Sequence, residues 1–175
     1  AAKPEIAARR KINRGSVQTL EYIQKVLVRG AGKNILDEMR TMIVDLNQTF
    51  VEANHLTASH HVLALKKAIV DQETGQRGFL ITGDEEFLEP FNSGLASFRS
   101  TVPKLKLLIS NYYTFSDVHA DINAIETLSI KWRQEAAEPE IELRRQVNAG
   151  EHEISIIEER LSVGLGKGLL DKLRH

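Results

Sequence analysis

No cysteine occurs among the 175 residues, which excludes disulfides, thiolate metal sites and cysteine nucleophiles. That absence is compatible with an oxidising compartment. Proline and glycine are scarce, at 4 and 11 residues, and fall in a few places. Long uninterrupted helices are therefore allowed and hairpin-rich β folds are not. No apolar run approaches the ~20 residues that a membrane-spanning helix requires, and no signal peptide is legible. If the parent is a membrane protein, its anchors lie elsewhere. Neither sign of charge predominates: 23 Lys and Arg face 24 Asp and Glu, for a net charge of -1. Without a basic block or stripe, nucleic acid is not a partner. What remains is 42% hydrophobic and 27% charged, the composition of one folded domain with a core of its own.

Apolar residues recur at three- and four-residue steps, the period of a helix. Phe91, Leu95, Phe98, Val102, Leu105 and Ile109 alternate steps of four and three, as in the seam of a helical bundle. Asp84 is a candidate N-cap for this helix, with Thr82 and Glu85 as an alternative capping box. Pro90 should bend or loosen its start, and Pro103 predicts a second kink or an early stop. Val118, Ile122, Ile125, Trp132 and Ala136 form the next seam, with Ser129 inside it. Pro139 interrupts that seam, and Asn148-Ala149-Gly150 reads as its C-terminal cap. Earlier in the chain, Ile35, Met39, Met42, Leu46, Ala53, Leu56, Leu63 and Val70 keep one line, and no proline or glycine lies between Lys33 and Thr74. The reading is one long helix whose weakest point is the polar string from Asn54 to His61.

Two stretches occur twice. PEIAARRKINRG at Pro4 returns as PEIELRRQVNAG at Pro139, and GAGKNILDEMR at Gly30 returns as GLGKGLLDKLR at Gly164. The offsets are 135 and 134 residues, so one single-residue gap aligns both. Identities include Pro4/Pro139, Arg9/Arg144, Asn13/Asn148 and Gly15/Gly150. They continue with Gly32/Gly166, Lys33/Lys167, Asp37/Asp171 and Arg40/Arg174. The simplest account is two tandem copies of one module. Residues 1–54 are then the closing helix region of an upstream repeat, and residues 55–175 a second module with its last helix cut short.

Residues Asp71 to Phe91 read DQETGQRGFLITGDEEFLEPF. This resembles the central motif of the type-three CHASE domains, on Asp71, Glu73, Thr74, Gly75, Arg77, Gly78, Phe79, Leu80, Thr82, Gly83, Asp84, Leu88, Pro90 and Phe91. The family's later G-x-G-K segment resembles Gly164 to Lys167 leading to Arg174, and the same feature stands at Gly30 to Arg40. The resemblance implies an extracytoplasmic sensory domain of a transmembrane two-component sensor histidine kinase. It would be the periplasmic part of an inner-membrane protein, act as a homodimer, and answer an unknown small-molecule or protein stimulus by helix movement. The chain itself would not be an enzyme. The alternative is a helical spacer that only sets distance and dimer geometry.

Glu73 and Arg77 stand four apart with the acid first, the favourable order along a helix. Ala64, Ala68, Asp71, Gly75 and Gly78 make a narrow face on which another backbone can approach closely. Three roles stay open for the motif: a lock between the first helix and the turn Thr82-Gly83-Asp84, direct ligand binding by Arg77, or signal relay. Only Glu52-Ala53-Asn54-His55 fits the Glu-x-x-His element that a di-iron bundle needs twice. His55, His60 and His61 do not share one helix face, so neither metal nor cofactor is expected. The Gly-x-Gly-Lys segments lack the frame of a phosphate loop and read as close-packing glycines. The expected fold is all-α: an elongated antiparallel up-down four-helix bundle with a long N-terminal helix and helices near 55–81, 84–110, 115–148 and 151–175. Residues 16–54 either extend the first of these colinearly or fold back as a substitute fourth helix.

Overall fold

The computed structural model describes residues 31–110 and 116–149, and no described residue lies in a strand. Helix α1 spans Ala31–Glu52, α2 Leu56–Thr82, α3 Glu89–Ile109, α4 Ser116–Trp132 and α5 Glu138–Asn148. A 3₁₀ turn, Glu85–Leu88, leads into α3, and a π-helical turn, Arg133–Ala137, joins α4 to α5 in one rod. The expected helix at 151–175 lies outside the described residues, as do residues 16–30.

The single long helix expected through Lys33 to Thr74 is two helices. The break is made by local chemistry at Ala53–His55. Asn54 takes a left-handed conformation (φ 53°), which asparagine tolerates better than most residues. Its N–H donates to the Val51 carbonyl at 3.0 Å, and the His55 N–H to the Phe50 carbonyl at 2.8 Å. Those two bonds close a Schellman motif on α1. His55 then caps α2, its Nδ1 accepting from the Ala58 N–H at 3.3 Å. The chain reverses at once, and Ser59 Oγ reaches back to donate to Asn47 Oδ1 at 2.8 Å. α1 therefore lies alongside α2 and also packs on α4.

The break changes which face of α2 is buried. Leu56, Leu63 and Val70, expected on the inner seam, are 70%, 49% and 42% exposed. Ala58, Val62, Leu65, Ile69, Phe79 and Leu80 take the core instead, together with the polar Gln72, Glu73 and Gln76. The seams of α3 and of the α4–α5 rod lie inward: Phe91, Phe98, Val102, Leu105 and Ile109 are buried, as are Val118, Ile122, Ile125, Trp132 and Ala136. The four packed members (α1, α2, α3 and the rod) form one helical bundle around this core.

The prolines act at particular places. Pro90 occupies the first turn of α3, where its missing N–H is no loss. Asp84 caps the 3₁₀ turn, accepting from the Glu86 N–H at 3.0 Å, and α3 proper starts only at Glu89. Pro103 lies inside α3, which nevertheless runs on to Ile109. Pro139 has no N–H to give to the carbonyl one turn earlier. The rod meets this with the π turn just before it, in which the Glu138 N–H reaches the Arg133 carbonyl five residues back.

Candidate functional site

Glu73 is the one buried acidic side chain among the described residues. Arg40 of α1 donates from Nη2 to its Oε2. Arg77, one turn further along α2, brings Nη2 to 2.6 Å from its Oε1 as an ion pair. Arg40 also donates from Nη1 to Asp37 Oδ1 at 2.9 Å, and Asp37 pairs with Lys33. The chain of charges Lys33–Asp37–Arg40–Glu73–Arg77 thus runs along α1 and crosses to α2. Hydrogen bonds from Lys33, opposed by some desolvation and aided by Arg40, hold the Asp37 carboxyl below the usual carboxylate range.

Two motifs that the sequence leaves separate are joined here. Lys33, Asp37 and Arg40 belong to the repeated segment, and Glu73 and Arg77 to the central motif. Gly32 sits where α1 crosses the rod: a Cβ there would lie 2.8 Å from Ala136 Cβ and 3.4 Å from Trp132 Nε1. The matching residues Gly166, Lys167, Asp171 and Arg174 lie outside the described residues.

The rest of the central motif builds the α2–α3 junction. A Cβ on Gly75 would lie 2.5 Å from the Phe91 nitrogen, and one on Gly94 would lie 2.6 Å from the Ala68 carbonyl oxygen. Gly78 faces the Phe87 ring. Asp71 pairs with Lys67 at 2.5 Å, and Thr74 is exposed. Gly83 ends α2 with φ 73° and donates to the Phe79 carbonyl at 2.7 Å. Thr82 Oγ1 donates to the Gly78 carbonyl at 2.8 Å and accepts from the Asp84 N–H at 3.2 Å. Pro90 then starts α3.

Helix α5 clamps this corner. Arg145 makes a two-pronged pair with Glu85 at 2.7 and 2.8 Å and lies over the Phe79 ring. Asn148 Nδ2 donates to the Gly83 carbonyl at 2.7 Å. Nearby, Gln76 Nε2 donates to Glu140 Oε2 at 2.5 Å. The Glu140 and Arg145 contacts span 64 and 60 residues of sequence, which is why residue spacing could not find them.

Burial pushes the Glu140 carboxyl up to about 7, against the pull of the Arg77 charge. A carboxyl whose folded value lies above its unfolded one binds its proton more tightly when folded. Its stabilising share is full below the unfolded value of 4.5 and is lost as pH rises through about 7. Thermal melts of the native chain and of Glu140→Gln should therefore diverge between about pH 5 and pH 8, the variant losing less stability, by at most roughly 3 kcal/mol. His61 has its own pKa lowered by burial, then by His60 and Lys104, and acts in the opposite sense. The comparison with Glu140→Gln isolates the carboxyl, and parallel melts would show that it does not titrate in this range.

A half-open cleft of about 290 Å³ lies between α3 and the rod, walled by Arg99, Glu126, Arg133, Gln134 and Glu138. Arg133, on the π turn, is buried and donates from Nη1 to Ser129 Oγ at 2.7 Å. This gives the polar Ser129 in the seam its partner. Burial, then the Arg99 charge, pull the Arg133 guanidinium below its ordinary value, and Glu138 opposes them. Trp132 is core, beside Phe91. Among the described residues, no three His, Asp or Glu side chains are grouped to hold a metal ion.

Residues 51–175 match the CHASE3 domain model. The chain belongs to the CHASE3 family. CHASE3 domains are extracytoplasmic sensory domains rather than catalytic ones. No curated protein and no solved structure matches the chain. The CHASE3 match starts at Val51, so it takes in α2 to α5 and leaves out α1 up to Phe50. No described helix is long and apolar enough to cross a membrane.

Proposed function

We propose that this CHASE3 domain is the periplasmic stimulus receiver of a membrane-anchored sensor histidine kinase and passes its signal on by movement of α1 against α2. The observation that carries this reading is the buried Glu73 held by arginines from both helices. An apolar seam slides at little cost in specificity. A buried carboxylate has few acceptable positions, because leaving it unpaired is costly. The clamp therefore favours discrete arrangements of the two helices, which a relay requires.

The cleft beside the π turn favours reception over a mere spacer, since it offers opposed charges and a recess between helices. The exposed line Leu56, Leu63 and Val70, at seven-residue spacing, supports pairing with a second copy, and the mass of the chain in solution tests that part.

Locking the two helices tests the relay. Asn47 and Ser59 already touch, so Asn47→Cys with Ser59→Cys in this cysteine-free chain provides a reversible staple. The domain would be placed between the membrane helices of a receptor whose kinase output is assayable in vesicles. Oxidation is expected to fix the output at one level and reduction to release it. Output that ignores the staple would mean that α1 and α2 do not move during signalling, and the spacer reading would stand instead.

A further inference from the structure

Helix α1 occupies a seat on α2 and the rod that a second segment of the same chain fits. Of the stretch 32–40, α1 commits Ile35, Leu36 and Met39 to the core, Gly32 to the close crossing with Ala136, and Lys33, Asp37 and Arg40 to the Glu73 network. At the constant offset of 134, the partners of these seven residues are Leu169, Leu170, Leu173, Gly166, Lys167, Asp171 and Arg174. Charge and the crossing glycine are kept identically, and the three apolar positions stay apolar. The two positions in this stretch that change character, Asn34 to Gly168 and Glu38 to Lys172, are exposed on α1. Identity therefore follows what the seat touches and lapses where solvent does.

Register points to the same place. Helix α5 ends at Asn148 with Ala149 as its cap. Residue 150 stands 16 positions beyond the midpoint of Trp132 and Ala136, the two residues against which Gly32 lies. A helix returning from that turn with the same rise per residue regains that level 16 positions later, at Gly166. The CHASE3 match also takes in 164–174 and leaves out α1 up to Phe50, so α1 is the visitor in a seat that lies within the family's own span.

We propose that residues 164–174 dock in cis on the α1 seat, so that the two repeat copies exchange over one site on α2 and the rod, with Glu73 taking Arg174 in place of Arg40. α1 adds Ile43, Leu46 and Phe50 below the matched stretch and is tethered by a three-residue turn, which favours it as holder. Displacing α1 hands the seat to the other copy and leaves the core covered. This proposal does not depend on the sensory reading.

Disulfide trapping in the full 175-residue chain tests it, because the chain has no cysteine of its own. Ala136→Cys is paired with Gly32→Cys or with Gly166→Cys. Both pairs are expected to form in-chain disulfides under mild oxidation. Gly32→Leu, which cannot seat against Ala136, should raise the yield of the 136–166 bond several-fold. That single variant should keep a cooperative melt, and Gly32→Leu with Gly166→Leu should lose it. A 136–166 bond that forms only between chains, does not form even with Gly32→Leu, or does not respond to Gly32→Leu would overturn the exchange. So would loss of the cooperative melt in Gly32→Leu alone.

Discussion

Glu73→Ala is expected to destabilise the domain by about 2–3 kcal/mol, towards the lower end of the range for breaking a buried ion pair. The cost comes from the two cations left behind. Arg40 and Arg77 converge on one carboxylate, and without it they face each other across the α1–α2 interface. Their side chains are 38% and 40% exposed, so both can turn partly to water, which keeps the figure below the fully buried limit. Glu73→Leu should cost less than Glu73→Ala, because it refills the volume with apolar atoms. Urea unfolding of Glu73→Ala, Arg40→Ala and the double variant supplies the test. The double variant should fall short of the sum by about 1 kcal/mol or more, the usual size of coupling within one charged network. Strictly additive losses would mean that Arg40 and Glu73 do not interact in solution.

Gly75→Ala and Gly94→Ala should each cost about 2–3 kcal/mol, despite a gain in helix propensity of about 1 kcal/mol from losing a glycine. The added methyl at residue 75 would meet the backbone nitrogen of Phe91, and that at 94 the backbone carbonyl of Ala68. Backbone in two packed helices cannot step aside without parting the helices, and α2–α3 is the most extensive pairing in the bundle. Gly78→Ala gives the contrast. Its methyl would meet only the ring of Phe87, which is 46% exposed and can swing away. That variant should stay within about 1 kcal/mol of the native domain, because the propensity gain offsets a soft contact. Thermal melts of the three variants rank them, and a Gly78→Ala loss equal to that of Gly75→Ala would contradict the distinction between backbone and side-chain neighbours.

The seams of α3 and of the α4–α5 rod could be read directly because each carries a narrow apolar line with polar residues on either side, from Phe91 to Ile109 and from Val118 to Ala136. α2 could not be read in this way. Apolar residues lie all round it, and its buried face includes Gln72, Glu73 and Gln76. A count of apolar spacing therefore picked the line Leu56, Leu63 and Val70, which faces outward. The break at Asn54 had the same origin: the apolar pattern runs on across it in step. What stops the helix is a left-handed asparagine and a histidine cap, both of which a helix can carry without ending.

The sequence by itself determined the helical class, the family and the residues that build its central corner. Those properties depend on local periodicity and on a contiguous motif from Asp71 to Phe91. It also showed that the segment from Gly32 to Arg40 occurs twice. Only the tertiary structure decided that Arg40 meets Glu73 across 33 residues, that α1 turns back to lie against α2 and the rod, and that Glu140 is buried next to Gln76. A long-range ion pair leaves no periodic trace, because each partner alone reads as an ordinary surface charge. Where such a charge ends up depends on how two helices cross, and that crossing is set by the glycines, the turn at Asn54 and the shared core acting together.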